Sequence, residues 1–468
     1  MAGTKDSFRI GIVSGKLGDV DGVSLEVDKW INILQDEGHE IFTISGKFTT
    51  PLDAVPKANR LLLEKIRFNS PEQKKYEKQF FPFLSKHPPY NHEEMTKRMV
   101  EEMLAEGSMV ANMMHEFVQT REIDVVIGQN TNAMPMTLLG AIGLHKMAVD
   151  DRVATLFHHH DFWWERSRFS FNRIEALLND IMPPADFGIE HIVISSYAAH
   201  ILRSLKRVQP HVIPNCEDFD HPVWLDDYNR SFREDFGFRE DDILIVQPTR
   251  IVQRKRIEDA IELLGRFIER YPKYRDRIQY IISLYQGDEP DENYIGYIRE
   301  MAESRDIPLH MISDKVSSIR GTGADGKKLY TNRDVLANAD LVTYLPIWEG
   351  FGNALLEAIA AKVPVITTTY LVYKTDIMVA GFDNIEIRDR YDDNERLIIT
   401  DAVLDRMEYV LTHPAERRQM VEKNFTIGNR EFSYKTLRQR LCKVLDEYGD
   451  EIRASRRRIR KSRLRYSV

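Results

Sequence analysis

Glu349 and Glu357 flank the stretch Gly350, Phe351, Gly352, Asn353, which joins the apolar run ADLVTYLP to the alanine-rich run NALLEAIAAK. The first run reads as a strand and the second as a helix. Glycines at such a junction let the main chain turn tightly and come close to a ligand. A helix beginning near Asn353 exposes unpaired N–H groups and the positive end of its dipole, which favours a phosphate or a hydroxyl-rich group. Glu357 lies about one turn in, and its side chain leans back toward that end. A carboxylate at the strand end and another behind an anion site suit vicinal hydroxyls on both sides of a diphosphate, the layout of a nucleotide sugar. The same residues also suit a plain strand-to-helix turn in which an early glutamate favours the dipole, and the motif alone does not choose.

A second set of charges lies in PTRIVQRKR, after the apolar run DILIVQ. Arg250 and Lys255 are five positions apart across a strand-to-helix connection. Two cations at the carboxyl end of a strand can hold a diphosphate and stabilise its charge as it leaves. Arg254 and Arg256 make a solvated basic turn the competing reading. In LFHHHDFWWERSRF, His158 and His160 share one face of a strand and His159 points opposite. With Asp161 they have the residue types of a zinc site. Trp163, Trp164 and Phe169, just beyond that strand, suit either core or stacking on a substrate. Arg166 and Arg168 suit either an anionic substrate group or solvation of a helix start.

Positioning these groups takes two sheets. FRIGIVSG, HEIFTIS, DVVIGQN, RVATLFHHH and FGIEHIVIS have the continuous apolar character of buried parallel strands. Gly18 and Gly22 lie in the loop after the first, and Val23, Val27, Trp30, Ile31 and Leu34 mark one face of a helix that Gly38 ends. A second series runs through DILIVQPTR, IQYIISLYQ, IPLHMIS, ADLVTYLP and VPVITTTY. The predicted fold is α/β, two doubly wound Rossmann-like domains facing across a cleft, with spans 1–215 and 225–430. A charged, Met-rich, mostly helical insertion is expected at about 50–116, a linker near 214–225, and C-terminal helices over 431–468 that pack back toward the hinge. In such sheets ligands bind beyond the carboxyl ends of the strands, so the cleft is the expected site.

The composition narrows the classes. A chain of 468 residues with formal net charge −8 gives no global signal for nucleic-acid binding. Two cysteines, Cys216 and Cys442, make neither a disulfide framework nor a zinc cluster and suit a reducing compartment. MAGTKDSFRIGIVSG carries no signal-peptide core, and no apolar run reaches the length of a membrane span, so a cytoplasmic location is expected. The basic end RASRRRIRKSRLRYSV reads first as a solvated, frayed tail, with peripheral contact to an anionic membrane as its competitor. Oligomeric state is not written in these features.

RIVQRK followed by EGFGNALLE, in that order and at that separation, resembles the retaining glycosyltransferases of family 4, which have the GT-B fold. Gly18 and Gly22, HHHD and VIPNCEDFD extend the resemblance along nearly the whole chain. It implies transfer of a hexose from a nucleotide diphosphate sugar, UDP-glucose or GDP-mannose by family habit, to an acceptor hydroxyl with retained configuration and no metal or other cofactor. The 1–215 domain would bind the acceptor and the 225–430 domain the donor. Arg250 and Lys255 would grip the donor diphosphate, Glu357 the ribose hydroxyls, and Glu349 the hexose, helped by the backbone of Phe351, Gly352 and Asn353. Gly18 and Gly22 would lie against the donor phosphates, and His160 would orient the hexose without a metal. Asp161 would border the acceptor, with Trp163, Trp164 and Arg166 as the other acceptor candidates.

A small polar sugar or sugar acid is the expected acceptor. A lipid-linked acceptor at a membrane surface, and a phosphorylase or nucleotide-sugar epimerase on the same fold, are the alternatives. An NAD-linked dehydrogenase fits less well, because GKLGDVDG lacks the G-x-G-x-x-G spacing. Thr249 and Cys216 stand where the family often has Gly, LPIW replaces Pro-Ser, and LYQGDEP keeps only Gly287. These departures bear on donor-base specificity.

Overall fold

The computed structural model describes residues 6–18, 22–49, 54–84, 93–284 and 291–466. Gly287 and residues 19–21 of the first glycine loop lie outside the described residues. The chain divides into two compact units, Met1–Pro214 with Leu437–Val468, and Asn215–Thr436.

The first unit is built on seven strands, β1 (Arg9–Ser14), β2 (Glu40–Ser45), β3 (Arg60–Leu62), β4 (Val125–Gln129), β5 (Ala154–His159), β6 (Ile189–Val193) and β7 (His211–Val212). They pair in the order β3-β2-β1-β4-β5-β6-β7, every pair parallel. Central strands such as β4 are buried on both faces, which is why they read as unbroken apolar runs rather than alternating ones. The helix Gly22–Asp36 returns the chain from β1 to β2 and buries Val27, Trp30, Ile31 and Leu34. Within the span expected to be a helical insertion, the helix Glu93–Thr120 packs on Leu138–Val149, but Arg60–Leu62 extends the sheet by an edge strand.

The basic C-terminal end is not a frayed tail. It forms the helix Gly449–Tyr466, with Ile452, Ser455 and Ile459 buried at helical spacing against the first unit. Ala154 N–H donates to Ser455 Oγ (3.1 Å), and Arg456 donates twice to buried Asp124, from Nε (2.9 Å) and Nη2 (2.7 Å). Arg453 pairs with Asp6, and Arg458 donates to the Arg152 carbonyl. Much of the basic charge is thus spent inside the fold, while Arg457, Arg460 and Lys461 remain exposed. No helix among the described residues is long and apolar enough to cross a membrane.

The second unit holds β8 (Ile243–Gln247), β9 (Ile278–Ile282), β10 (Leu309–Met311), a small hairpin of β11 (Gly321–Thr322) and β12 (Lys328–Leu329), then β13 (Leu341–Tyr344), β14 (Val365–Thr368) and β15 (Ile385–Ile387). The main sheet runs β10-β9-β8-β13-β14-β15, again parallel throughout. Strand order reverses between β8 and β13, which opens a crevice at their carboxyl ends. Residues 215–225, expected to be a linker, are fastened to this unit: Glu217 N–H bonds the Phe432 carbonyl (2.9 Å), and Phe219 packs edge-on to Phe425.

Candidate active site

The charged residues of the second unit gather where its strand order reverses. After β8 the chain passes Thr249 and Arg250 and makes a tight turn at Gln253–Lys255. Arg256, with φ +51°, launches the helix Ile257–Arg270. β13 ends beside β8, and its continuation brings Glu349 back over that turn, where Ile347 N–H bonds the Arg254 carbonyl (3.1 Å). Lys255 Nζ lies 2.5 Å from Glu349 Oε1, and the Arg254 guanidinium pairs with the same oxygen. The Lys255 ammonium also sits 5.1 Å from the centre of the Tyr344 ring.

Lys255 is only 9% exposed. Burial lowers its pKa to about 8. Glu349 opposes that shift, and Arg254 and Arg250 reinforce it. The other cations of the turn are sorted by their partners. Arg256 is held by Asp259 (2.7 Å) and Glu258 (3.3 Å) on its own helix, whereas Arg250 makes no ion pair among the described residues. The basic turn is therefore not a uniformly solvated one.

Gly352 begins the helix Asn353–Ala360 with φ +151°. A Cβ there would lie 2.5 Å from the Tyr370 hydroxyl, which donates to the Phe351 carbonyl (2.6 Å). The turn is thus fixed by a buried tyrosine as well as by glycine's backbone freedom. Phe351 is buried against Phe432, and Asn215 donates to the Asn353 side chain (2.7 Å). Glu357 receives Asn332 Nδ2 (2.6 Å), and Ser283, just past β9, donates to Asn332 Oδ1 (2.7 Å). Asn332, Ser283 and Arg254 belong to this cluster but carry no sequence motif of their own. The one available signal was Thr331 with Asp334, a capping box that starts a helix at Asn332.

In the first unit, His158 and His159 leave β5 on opposite faces. His158 stacks on Trp30 (4.4 Å between centroids) and bonds Gln129 (2.8 Å); His159 bonds His191 (2.9 Å). Burial holds the pKa values of both His158 and His159 well below the ordinary histidine range, so both rings are neutral. His160 follows the strand, with its ring centroid 4.4 Å from that of His158 and its N–H on Asn130 Oδ1 (3.0 Å). Among the described residues no group of three or more His, Cys, Asp or Glu side chains could hold a metal.

Asp161 pairs with Arg166 (2.5 Å). Glu165 accepts the Phe162 N–H (2.8 Å), and burial, reinforced by Asp161, lifts its carboxyl to about 7. Trp163 lies in the core, 4% exposed, with its indole N–H on the Met182 carbonyl (2.9 Å). Trp164 stacks on Phe162 and borders a polar cavity lined by Asn179, Asp180, Asp186 and Lys206. Gly18 is buried with φ +74°, and Gly22 is the exposed first residue of its helix. His160, Asp161 and Arg166 thus come together on one loop, and Trp163 faces the interior instead.

Comparison with known proteins defines the class. Residues 229–384, all in the second unit, match the family model described as glycosyl transferases group 1. The chain is 29% identical over 449 residues to the mannosylglucosylglycerate synthase of Thermotoga maritima, covering 92% of this chain and 98% of that protein. It is 29% identical over 401 residues to the enzyme of the same name from Petrotoga mobilis, covering 81% and 86%. Among solved structures, Anabaena HepE in complex with UDP-glucose superposes with a TM-score of 0.62 at 13% identity, covering 94% of this chain and all (100%) of that one. The sucrose-phosphate synthase of Thermosynechococcus elongatus gives 0.62 at 12% identity, covering 94% and 98%. The chain is a glycosyltransferase with the two-domain α/β fold of the GT-B architecture, and its match to the group 1 model lies within its second unit. Its reaction class is hexosyl transfer.

Proposed function

We propose that the chain moves a hexosyl group from a nucleoside diphosphate sugar to a hydroxyl of a small sugar acid, with retention of anomeric configuration and without a metal. The observation that carries this reading is the convergence of Lys255 and Arg254 on Glu349, beside the start of the helix Asn353–Ala360 and next to Arg250. Cations and a helix N-terminus suit a diphosphate, and Glu349 and Glu357 suit hydroxyls on either side of it. On this reading the bond from the anomeric carbon to the phosphate oxygen breaks, and the acceptor oxygen bonds the same face of that carbon. The acceptor proton passes to the departing phosphate, while Arg250 and Lys255 stabilise its charge. The roles given to Gly18, Gly22 and His160 toward the donor, and to Asp161, Trp164 and Arg166 toward the acceptor, belong to the same proposal.

The relatives are named for making mannosylglucosylglycerate, a product with two hexoses and one carboxylate. GDP-mannose with glucosylglycerate is accordingly the first pair to test, and UDP-glucose the second donor. The assay combines each donor with glucosylglycerate, with and without EDTA, and reads the new linkage by NMR. The expected product carries the donor's anomeric configuration and forms equally well with chelator. An inverted linkage, or a strict need for added divalent ion, defeats the reading. Turnover that requires inorganic phosphate identifies a phosphorylase, and donor conversion without an acceptor identifies an epimerase.

Lys255 also sets the pH response. Below about 8 its ammonium is charged and can hold the diphosphate, and above that it becomes neutral. In the free enzyme, kcat/KM for the donor is expected to fall as pH rises through about 8. The kcat limb should lie higher, because a bound diphosphate favours the charged form. A donor kcat/KM that stays flat from pH 7 to 9.5 would remove Lys255 from this role.

A further inference from the structure

We infer that Arg67 is the carboxylate-binding residue of the acceptor site; the inference rests on the sugar-acid reading above and names the group that recognises the acid. The loops after β1, β2 and β3 are joined at the carboxyl edge of the first unit's sheet. Leu17 N–H bonds the Lys47 carbonyl (3.0 Å), Thr49 N–H bonds the Leu17 carbonyl (3.0 Å), and Gly46 N–H reaches the Ser14 carbonyl (3.4 Å). The segment after β3 lies directly on the other two. A Cβ on Gly46 would fall 2.2 Å from the Arg67 backbone nitrogen, and one on Gly15 would fall 2.2 Å from the Phe68 ring. Two glycines therefore let the chain at Arg67 and Phe68 settle over the ends of β1 and β2, beside the loop that carries Gly18.

The turn that presents Arg67 is rigid. Ile66 is buried, and its carbonyl accepts the Thr137 hydroxyl (2.7 Å) at the start of the helix Leu138–Val149. Ser70 N–H bonds the Arg67 carbonyl (3.0 Å). The neighbouring cations already have partners: Lys65 pairs with Glu106 (3.3 Å), and Arg60 donates to the Val55 carbonyl (2.7 Å). Arg67 differs from both. Its guanidinium makes no hydrogen bond or ion pair with any described residue, and its Nε is buried without an acceptor. Arg67 as a whole is half-buried, and an Nε buried unmet is costly, so this guanidinium calls for an anion. Its planar fork matches a carboxylate in a way a lysine cannot. Among the described residues no carboxylate supplies that anion, and a site for a sugar acid at the strand ends does.

The test compares glucosylglycerate with glucosylglycerol, in which a neutral CH2OH replaces the carboxylate, using wild type, Arg67→Gln and Arg67→Lys at saturating donor. Arg67→Gln should raise KM for glucosylglycerate about 10- to 100-fold. It should leave KM for glucosylglycerol and for the donor within about threefold, and Arg67→Lys should fall between the wild type and Arg67→Gln. A raised donor KM would instead assign Arg67 to a donor phosphate. Equal losses on both acceptors would make it a structural residue. A wild type active on glucosylglycerate with an unaffected Arg67→Gln overturns the Arg67 assignment alone. A wild type that transfers only to neutral sugars overturns the sugar-acid reading and this inference together.

Discussion

Lys255→Ala should lower kcat/KM for the donor about a thousandfold, the scale seen when one preorganised group that stabilises developing charge is removed. Lys255 is the buried member of the cation cluster, 9% exposed and in contact with Glu349. Low solvent access strengthens its pull on a phosphate, and water filling the vacated space cannot replace a fixed charge. Glu349 keeps Arg254 in the variant, so no isolated buried carboxylate is created and the fold should persist. The stability argument runs the same way. Burial depresses the ammonium's pKa to about 8, so the charged form costs stability below that pH, and the cost fades as pH rises toward the unfolded value near 10.5. Deleting the side chain at pH 7 removes that cost.

Arg254→Ala should have a smaller effect, about tenfold, because Arg254 acts by orienting Glu349. Steady-state kinetics and ligand-induced melting shifts separate the cases. At a hundred times its Kd a nucleoside diphosphate should add ~2.7 kcal/mol of stability to the wild type and close to none to Lys255→Ala. A Lys255→Ala enzyme within threefold of wild type would mean the cluster does not hold the donor.

What the sequence revealed of this site follows from the range of the interactions. The strands, the glycine turn and the two charged motifs are local, and apolar runs with their bordering glycines mark them out. The meeting of the motifs depends on β8 and β13 being neighbours, through pairs such as Ile245 with Leu341, which no local periodicity encodes. Arg254 looked like one more charge in a basic turn, and only the return of the chain after β13 gives it Glu349 as a partner. Asn332 reaches Glu357 across a shorter gap of 25 positions, still beyond any local pattern. β3 has three residues, too few for a pattern to stand out within a helix-rich span. In the C-terminal helix the density of arginine hid the stripe of Ile452, Ser455 and Ile459, and the counter-charge Asp124 is remote in sequence. For Trp163 the position after a strand suits either core or stacking on a substrate; its indole N–H finds Met182, and burial with that bond satisfied is the cheaper state.

Gly352→Ala is expected to destabilise the second unit by about 2–4 kcal/mol. Two separate costs add. The backbone at φ +151° is open to glycine and strained for any L-residue with a side chain. The new methyl would also sit 2.5 Å from the Tyr370 hydroxyl, which cannot retreat without giving up the Phe351 carbonyl. For a unit of this size the melting transition should fall by about 5–15 °C. The two costs can be told apart with Tyr370→Phe. In that background the clash is gone and the strain remains, so Gly352→Ala should cost at least about 1 kcal/mol less than it does alone. Because the same turn sets where Glu349 and Asn353 stand, donor KM should rise in Gly352→Ala even well below its melting point. Purely additive losses in the double variant would show that Tyr370 does not brace the turn. A Gly352→Ala protein that melts within 1 °C of wild type would show that the chain reaches the helix Asn353–Ala360 by another path.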